Sequence, residues 1–331
     1  MRALLSEQPG GPDTLRLTDV AEPVAGTGEL LVRVRACAIN FPDVLIIEDK
    51  YQLKPPRPFA PGGEIAGEVE AVGEGVAGWD VGDRLIAVPG FGGLVEKIVI
   101  PAAIAFRLPT TRSFAEGAAL LLTYATAIHA LADRGRLQAG QTLLVLGAAG
   151  GVGLAAVELG KAMGARVIAA VSSEEKAAAA RDAGADETMI YPAGPFDRDG
   201  QKALATLFKG AVGPAGADVI FDPVGGDYAE AALRSIGWEG RYLVVGFPAG
   251  IPRLPLNLTL LKSCDVCGVF WGAFAMRDPK ANAAHVAQLF AWWDEGRIAP
   301  RISATFPLTR AGEAITAIAE RRAIGKLVVT I

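Results

Sequence analysis

The 331 residues of the chain are enough for two domains, and 51% of them are apolar while 21% are charged. This composition is typical of a well-packed globular protein and excludes a disordered one. The net charge is −4, with no basic block, so nucleic acid is not an expected partner. No signal peptide is visible and no apolar run is long enough to span a bilayer, so we expect a cytoplasmic protein without a membrane partner.

Cysteines and histidines are few. The cysteines are Cys37, Cys264 and Cys267. The last two have C-x-x-C spacing, but no second pair or nearby histidine supports a metal or redox site. The apolar neighbours Val266 and Val269 indicate a buried strand with structural thiols, and few unpaired cysteines fit a reducing compartment. His129 is expected in the core and His285 on the surface, and neither is assigned to catalysis.

Short strand patterns between glycine and proline turns fill residues 1–110. Leu30–Ala38 alternates apolar and polar side chains, as a half-buried strand does. A proline-rich loop, Lys54–Pro61, separates it from the strand pattern Ile65–Val72. This arrangement predicts a β-barrel-like domain.

The pattern changes near Ser113, which stands three residues before Glu116 as in a helix capping box. From there to about Leu261, strand and helix patterns alternate, which predicts a doubly wound parallel sheet. A strand pattern, Asp265–Phe270, and a long helix pattern, Asn282–Glu295, follow before the tail returns to strand character. The predicted fold class is therefore α/β.

The segment Thr142–Lys176 reads as strand, helix and strand around a glycine-rich turn. Three glycines of this turn, Gly147, Gly150 and Gly153, are spaced by three residues. This spacing departs by one residue from the usual G-x-G-x-x-G, but the flanking elements are those that the dinucleotide motif needs. We therefore predict that backbone N–H groups of Gly150, Gly151 and Val152 bind a pyrophosphate. The alternative is a turn that only packs a helix on a sheet.

The end of the second strand of this unit bears on which dinucleotide binds. An NAD site usually has an acid there, whereas Val171 is followed by Ser172 and Ser173, with Lys176 one turn further on. Two hydroxyls and an ammonium group suit a 2′-phosphate, which favours NADPH. Ser173 is also a candidate helix cap, and Glu174 is an alternative ligand for a ribose hydroxyl, so NADH stays open.

Several segments together resemble a known family. They are Ala38–Asp43 (AINFPD), Pro61–Val69 (PGGEIAGEV), Leu122–Ala127 (LTYATA), Gly147–Gly153, Asp222–Gly226 (DPVGG) and Gly325–Val329 (GKLVV). Over essentially the whole chain, the sequence resembles the medium-chain dehydrogenase/reductase superfamily, in its zinc-free quinone oxidoreductase branch. The resemblance implies a GroES-like β-barrel domain, a Rossmann doubly wound parallel sheet, and an active site in the cleft between the two domains.

With that resemblance, three segments are expected. Residues 1–122 form the GroES-like catalytic domain, and residues 123–262 form the Rossmann domain that binds NADPH. Residues 263–331 supply a sheet-edge strand and a long helix, and then return to the catalytic domain. A homodimer is an expectation from the family, with the strand at Asp265–Phe270 pairing across a two-fold axis.

No metal site is expected. Zinc-dependent relatives have a cysteine where Asn40 stands and a histidine where Gly63 stands, and many carry a four-cysteine lobe that Phe91–Gly93 replaces here. Zinc needs three or four N, S or O ligands. Without a Lewis acid, hydride transfer to an electron-poor acceptor is favoured over alcohol oxidation. That acceptor is a quinone or the C=C bond of an enone.

The resemblance also implies roles for four residues near the reacting groups. Asn40 points at the nicotinamide or its ribose, unless it only forms a turn. Asp43 has a catalytic role or caps a short helix. Tyr51 donates a proton or a hydrogen bond to the substrate oxygen, or is an exposed loop residue. Thr123 lies near the nicotinamide.

Further cofactor contacts follow from the resemblance. Around the adenosine end they are Ser172, Lys176 and Tyr191. The loops flanking the nicotinamide half contain Gly246, Phe247, Phe270, Trp271 and Gly272, and Val224 is a further expected cofactor contact. Lys326 is expected to reach the cofactor phosphates or ribose. Tyr191 and Trp271 have core packing as an alternative.

The sequence thus indicates an NADPH-dependent oxidoreductase with a small electrophilic acceptor, most simply a quinone. An enoyl or enone reductase uses the same hydride step and remains an alternative. A cofactor-binding structural or regulatory protein without turnover is the alternative from another class.

Overall fold

The computed structural model describes every residue from Met1 to Ile331. The chain forms two compact units, of which the first contains Met1–Leu122 and Pro300–Ile331 and the second contains Thr123–Ala299. The sheet-edge strand and the long helix after residue 262 belong to the second unit. Only the chain from Pro300 onward returns to the first.

Fifteen strands form three sheets. The strands are β1 (Arg2–Leu5), β2 (Arg16–Asp19), β3 (Glu29–Ile39), β4 (Glu64–Val72), β5 (Arg84–Ala87), β6 (Lys97–Pro101), β7 (Ala105–Arg107), β8 (Thr142–Leu146), β9 (Arg166–Val171), β10 (Glu187–Ile190), β11 (Ala217–Asp222), β12 (Ile236–Val244), β13 (Asp265–Gly268), β14 (Ile302–Pro307) and β15 (Lys326–Thr330).

Eleven α-helices accompany them. The helices are α1 (Phe41–Ile47), α2 (Phe114–Ala118), α3 (Leu121–Ile128), α4 (Gly151–Ala162), α5 (Glu174–Asp182), α6 (Arg198–Val212), α7 (Tyr228–Leu233), α8 (Asn257–Lys262), α9 (Trp271–Arg277), α10 (Pro279–Asp294) and α11 (Ala311–Ala319). None of them is both long and apolar enough to cross a membrane.

The main sheet of the first unit has the strand order β14-β15-β3-β4-β5-β7, and β6 also pairs with β3. The prediction of a barrel was wrong in one respect: β14 and β7 each pair on one side only, so the sheet does not close. Its register matters for function. Glu64 lies opposite Ala38, and Leu327 lies opposite Ile39. The first residues of β4 and β15 therefore flank the end of β3.

The sheet of the second unit is entirely parallel, with the order β10-β9-β8-β11-β12-β13. This is the doubly wound parallel sheet predicted from the alternating strand and helix patterns. Central strands such as β8 are covered by helices and are continuously apolar, as parallel strands must be. The strand order reverses beside β8, and ligands of such sheets bind outside the carboxyl ends of the strands at that point.

The edge strand β13 differs from the central strands. Its side chains are largely exposed, including Val266 at 40%. The expectation of a buried strand around the C-x-x-C pair was therefore wrong, because β13 has a neighbour on one side only. Cys264 is buried and Cys267 is half-buried, and both are free thiols.

Candidate active site

The glycine-rich turn after β8 is shaped by two close backbone approaches. Gly147 has a φ of +56°, and a Cβ there would lie 2.7 Å from Cγ2 of Val224. A Cβ on Gly153 would lie 2.3 Å from the carbonyl oxygen of Gly147. By contrast, a Cβ on Gly150 would meet only that oxygen, at 3.5 Å. The first and third glycines are thus required by packing, whereas the second leaves space in front of α4.

Helix α4 begins directly behind this space. Its N-cap residue, Gly150, has no side chain to accept a hydrogen bond from the first turn. The first N–H groups of a helix have no partner within the helix, and the positive end of the helix dipole lies there. The arrangement at Gly151, Val152 and Gly153 is therefore suited to a pyrophosphate. The N–H of Gly150, which was predicted to bind the pyrophosphate as well, instead donates to the carbonyl oxygen of Gly147 at 3.0 Å.

Asp222, at the end of β11, fixes the neighbouring turn. It is 1% exposed, and its Oδ1 accepts the N–H groups of Val224 and Gly225 at 2.7 and 2.9 Å. Its Oδ2 accepts the hydroxyl of Tyr242, and burial raises the pKa of this carboxyl. In the sequence, Asp222 stands out only as the first residue of the DPVGG segment. Its position at the end of a central parallel strand was the signal for a role in placing Val224 against Gly147.

The carboxyl end of β9 brings Ser172 and Lys176 together. The Lys176 ammonium group donates to the hydroxyl of Ser172 at 3.1 Å, and Ser173 caps α5 by accepting the Lys176 N–H at 3.3 Å. The alternative acid, Glu174, accepts a hydrogen bond from Arg181. The strand therefore ends in a hydroxyl and an ammonium group, while the nearby carboxylate is already paired.

Tyr191 follows β10 and is buried. Its ring packs against Tyr228 and Phe208, with centroid distances of 5.0 and 6.3 Å. The ring therefore has the core contacts that the alternative interpretation expected, and a cofactor contact for Tyr191 stays a prediction.

The residues predicted to flank the nicotinamide half divide into exposed and buried ones. Phe247 and Phe270 are about half exposed. Phe247 directly follows Gly246, and Phe270 lies two residues before Gly272. Trp271 is buried, and its indole N–H donates to Oδ1 of Asn282 at 2.9 Å. Trp271 therefore anchors α9 on α10.

In the first unit, Asn40, Glu64 and Lys326 form a buried cluster. The Lys326 ammonium group donates to Oδ1 of Asn40 at 2.5 Å and to Oε2 of Glu64 at 2.8 Å. The Asn40 amide donates to the same Glu64 oxygen at 3.0 Å. Because β15 pairs with β3, Lys326 lies inside the first unit. Its ammonium group binds side chains there, rather than standing free for a cofactor phosphate or ribose as the resemblance implied. Glu64 belongs to the PGGEIAGEV segment but was not predicted from the sequence to be a site residue.

Asp43 holds the backbone around this cluster. Its two oxygens accept the N–H groups of Asn40 and Gly62, at 2.8 and 2.9 Å. This matches the capping alternative. Burial, opposed by these hydrogen bonds, raises the pKa of Asp43 to about 6. Tyr51 is half-buried rather than exposed, and burial together with the charge of Asp43 raises the pKa of its hydroxyl. Thr123 is buried in α3.

The two histidines of the chain meet elsewhere, at Asp133. His129 Nδ1 lies 2.6 Å from Oδ2 of that residue, and His285 Nε2 lies 3.4 Å from its Oδ1. His129 is buried as predicted. His285 is half-buried, so its placement on the surface was wrong, because α10 packs it near Phe274. No three His, Cys, Asp or Glu side chains are placed to hold a metal ion.

Two family descriptions match the chain. Residues 26–110 match the alcohol dehydrogenase GroES-like domain, and residues 151–290 match the zinc-binding dehydrogenase family. The first stretch contains β3 to β7, and the second runs from the start of α4 into α10.

Individual relatives narrow this assignment. The quinone oxidoreductase-like protein 2 homolog of Nematostella vectensis is 39% identical over 92% of this chain and 82% of its own length. Among solved structures, mycobacterial Rv1454c complexed with NADPH is 30% identical with a TM-score of 0.92. Escherichia coli quinone oxidoreductase complexed with NADPH is 27% identical with a TM-score of 0.91. Both alignments cover 100% of each chain. The chain therefore belongs to the medium-chain dehydrogenase/reductase superfamily, in its quinone oxidoreductase family.

Proposed function

We propose that this protein is an NADPH-dependent oxidoreductase that transfers hydride to a quinone-type acceptor. The observation that carries the cofactor choice is the pairing of Lys176 with Ser172 at the end of β9, with Glu174 engaged by Arg181. NADPH in two solved relatives of the same fold supports the choice.

The residues of the first unit support an electron-poor acceptor. The positions at which zinc-dependent relatives carry a cysteine and a histidine hold Asn40 and Gly63. The only side-chain oxygen there, Oδ1 of Asn40, already accepts from Lys326. This donor set does not suit zinc, which prefers thiolate, imidazole and carboxylate ligands. Activation of an alcohol is therefore disfavoured, and zinc-independent reduction of a quinone or enone is favoured.

The chain's own residues then have defined tasks. Bound NADPH supplies the hydride. The first turn of α4 binds its pyrophosphate, and Ser172 with Lys176 binds its 2′-phosphate. Asn40, Thr123 and Tyr51 orient the reacting groups, with the Tyr51 hydroxyl as a hydrogen-bond donor to the acceptor oxygen.

The experiment is NADPH oxidation by chelator-treated protein with two sets of acceptors. Benzoquinone and phenanthrenequinone form one set, and crotonyl-CoA, methyl vinyl ketone and 2-hexenal form the other. The proposal expects turnover with the quinones. Turnover only with the C=C acceptors would assign an enoyl or enone reductase instead. Tight NADPH binding with no turnover would favour the non-enzymatic alternative.

We also propose a homodimer built on β13. This edge strand pairs only with β12, and the helix before it exposes Leu260 and Leu261 at 78% and 63%. Pairing of two β13 strands would cover the open strand edge. Light scattering is expected to give twice the chain mass, and Val266→Pro is expected to shift the protein toward monomer. A wild-type mass of one chain would contradict this proposal.

A further inference from the structure

Three chain segments meet in the cluster of Asn40, Glu64 and Lys326. Asn40 follows β3, whereas Glu64 and Lys326 are the first residues of β4 and β15. The three side chains are 7%, 1% and 3% exposed, respectively. Burial of an ammonium group and a carboxylate is costly unless they are paired and fully hydrogen-bonded. In this cluster the ammonium group of Lys326 is paired with the carboxylate of Glu64, and both charged groups are hydrogen-bonded.

The two charges fix the orientation of the Asn40 amide. An ammonium group can only donate, so the amide oxygen must face Lys326; a carboxylate can only accept, so the amide nitrogen must face Glu64. The second amide hydrogen is directed at the carbonyl oxygen of Ala38, at 3.3 Å. Both amide hydrogens are therefore engaged. One lone pair of Oδ1 remains, so Asn40 can offer a further ligand only an acceptor.

The same carboxylate also holds the start of α3. Oε1 of Glu64 accepts the N–H of Leu122 at 2.8 Å, and the next residue is Thr123. Glu64 thus contacts Asn40 directly and, through the backbone, the segment that carries Thr123. One carboxylate therefore binds Asn40 and the residue directly before Thr123.

We propose that Glu64 and Lys326 are positioning residues that hold Asn40 as a hydrogen-bond acceptor for the nicotinamide half of NADPH. This inference rests on the proposed function. The group that Asn40 receives is a donor, either a ribose hydroxyl or the N–H of the nicotinamide carboxamide. Lys326 therefore acts through Asn40 and not on the phosphates.

The first test separates positioning from stability. Lys326→Met or Glu64→Gln alone leaves a buried charge without its partner, so each should lower the denaturant midpoint. The double variant Glu64→Gln/Lys326→Met removes both charges. Its denaturant midpoint should therefore return most of the way to the wild-type value. However, glutamine can donate or accept and methionine does neither, so nothing then fixes the amide. NADPH should bind about tenfold more weakly, the effect of one lost hydrogen bond.

The second test exchanges the amide of Asn40 and the carboxylate of Glu64. Asn40→Asp alone sets two carboxylates against each other and should abolish NADPH binding. Asn40→Asp/Glu64→Gln keeps one carboxylate, one amide and Lys326, and retains an acceptor at position 40. It should bind NADPH within a fewfold of wild type. A folded exchange variant that does not bind NADPH would overturn the proposal.

A surface pair on the same strands provides the control. A guanidinium nitrogen of Arg35 on β3 lies 2.7 Å from Oε2 of Glu68 on β4, and both side chains are partly exposed. Glu68→Gln should therefore change neither the denaturant midpoint nor the NADPH affinity.

The readout is NADPH fluorescence, which needs no acceptor. Wild-type protein that binds NADPH without reducing any acceptor would refute the proposed function alone. A double variant with a recovered midpoint and wild-type affinity would refute the positioning role alone. Wild-type protein that does not bind NADPH would refute both.

Discussion

The glycine-rich turn of the second unit and the Asn40 cluster of the first unit are built from different material. The turn offers backbone N–H groups from one contiguous segment, 147–153, and depends on the absence of side chains. The cluster consists of side chains that are up to 286 positions apart in the chain, and it depends on charge pairing. The backbone-built site has no room for a Cβ at Gly147 or Gly153, whereas a side-chain site tolerates changes that preserve its charges and donors.

The largest effect is expected at Gly153. In Gly153→Ala the new Cβ would lie 2.3 Å from a backbone oxygen and 2.8 Å from the Cα of Ala148. Neither atom can move without shifting the turn, so we expect a loss of about 2–3 kcal/mol in the free energy of unfolding. NADPH binding should weaken at the same time. Denaturant unfolding and a fluorescence titration measure the two quantities.

Gly210, in the exposed part of α6, is the matched control, because a Cβ there would meet nothing within 4 Å. Gly210→Ala should be neutral or should stabilise the helix by about 0.5–1 kcal/mol. If Gly153→Ala behaved like Gly210→Ala, the tight turn would not be needed and the comparison would fail.

A smaller and selective effect is expected at Lys176. Lys176→Ala removes a charge-assisted contact to the 2′-phosphate and should weaken NADPH binding by about 1.5–2 kcal/mol, or more than tenfold. NADH has no 2′-phosphate, so its affinity should stay the same. Equal loss for both cofactors would mean that Lys176 does not bind the phosphate, and exposed Lys209→Ala should affect neither.

A pH-dependent effect is expected at Glu158, a buried carboxyl on α4. Its Oε2 accepts the Tyr124 hydroxyl at 2.7 Å and the Ala299 N–H at 2.9 Å, but no cation pairs with it, and burial raises its pKa to about 7. The folded state therefore holds this proton more tightly than the unfolded state. Stability is full at pH values below the ordinary pKa and falls as the pH rises toward 7.

Glu158→Gln should remove this dependence, since the glutamine carbonyl can accept the same two bonds. Relative to wild type, its free energy of unfolding should increase by about 1–2 kcal/mol between pH 5.5 and pH 8. Denaturant unfolding of both proteins at the two pH values measures the difference in the free energy of unfolding. A difference that is the same at pH 5.5 and pH 8 would contradict the prediction. Glu64→Gln, which leaves Lys326 unpaired, should destabilise instead.

The same contrast explains what the sequence could predict. The doubly wound sheet, the turn at Gly147–Gly153 and the Ser113 cap depend on residues close together in the chain, and their patterns were sufficient. The open edge of the first sheet at β14 and the Asn40 cluster both depend on the pairing of β15 with β3. No local sequence pattern reveals this pairing, because the two strands are far apart in the chain. Lys326 was therefore expected at the cofactor phosphates or ribose, and Glu64 was missed as its partner.

The most direct test of the account is a single-turnover experiment on chelator-treated protein with NADPH already bound. Phenanthrenequinone is added, and the loss of nicotinamide absorbance is followed. We predict complete oxidation of the bound NADPH at a rate that chelation does not change. Persistence of bound NADPH with each quinone would contradict the account, as would a rate that disappears on chelation and returns with zinc.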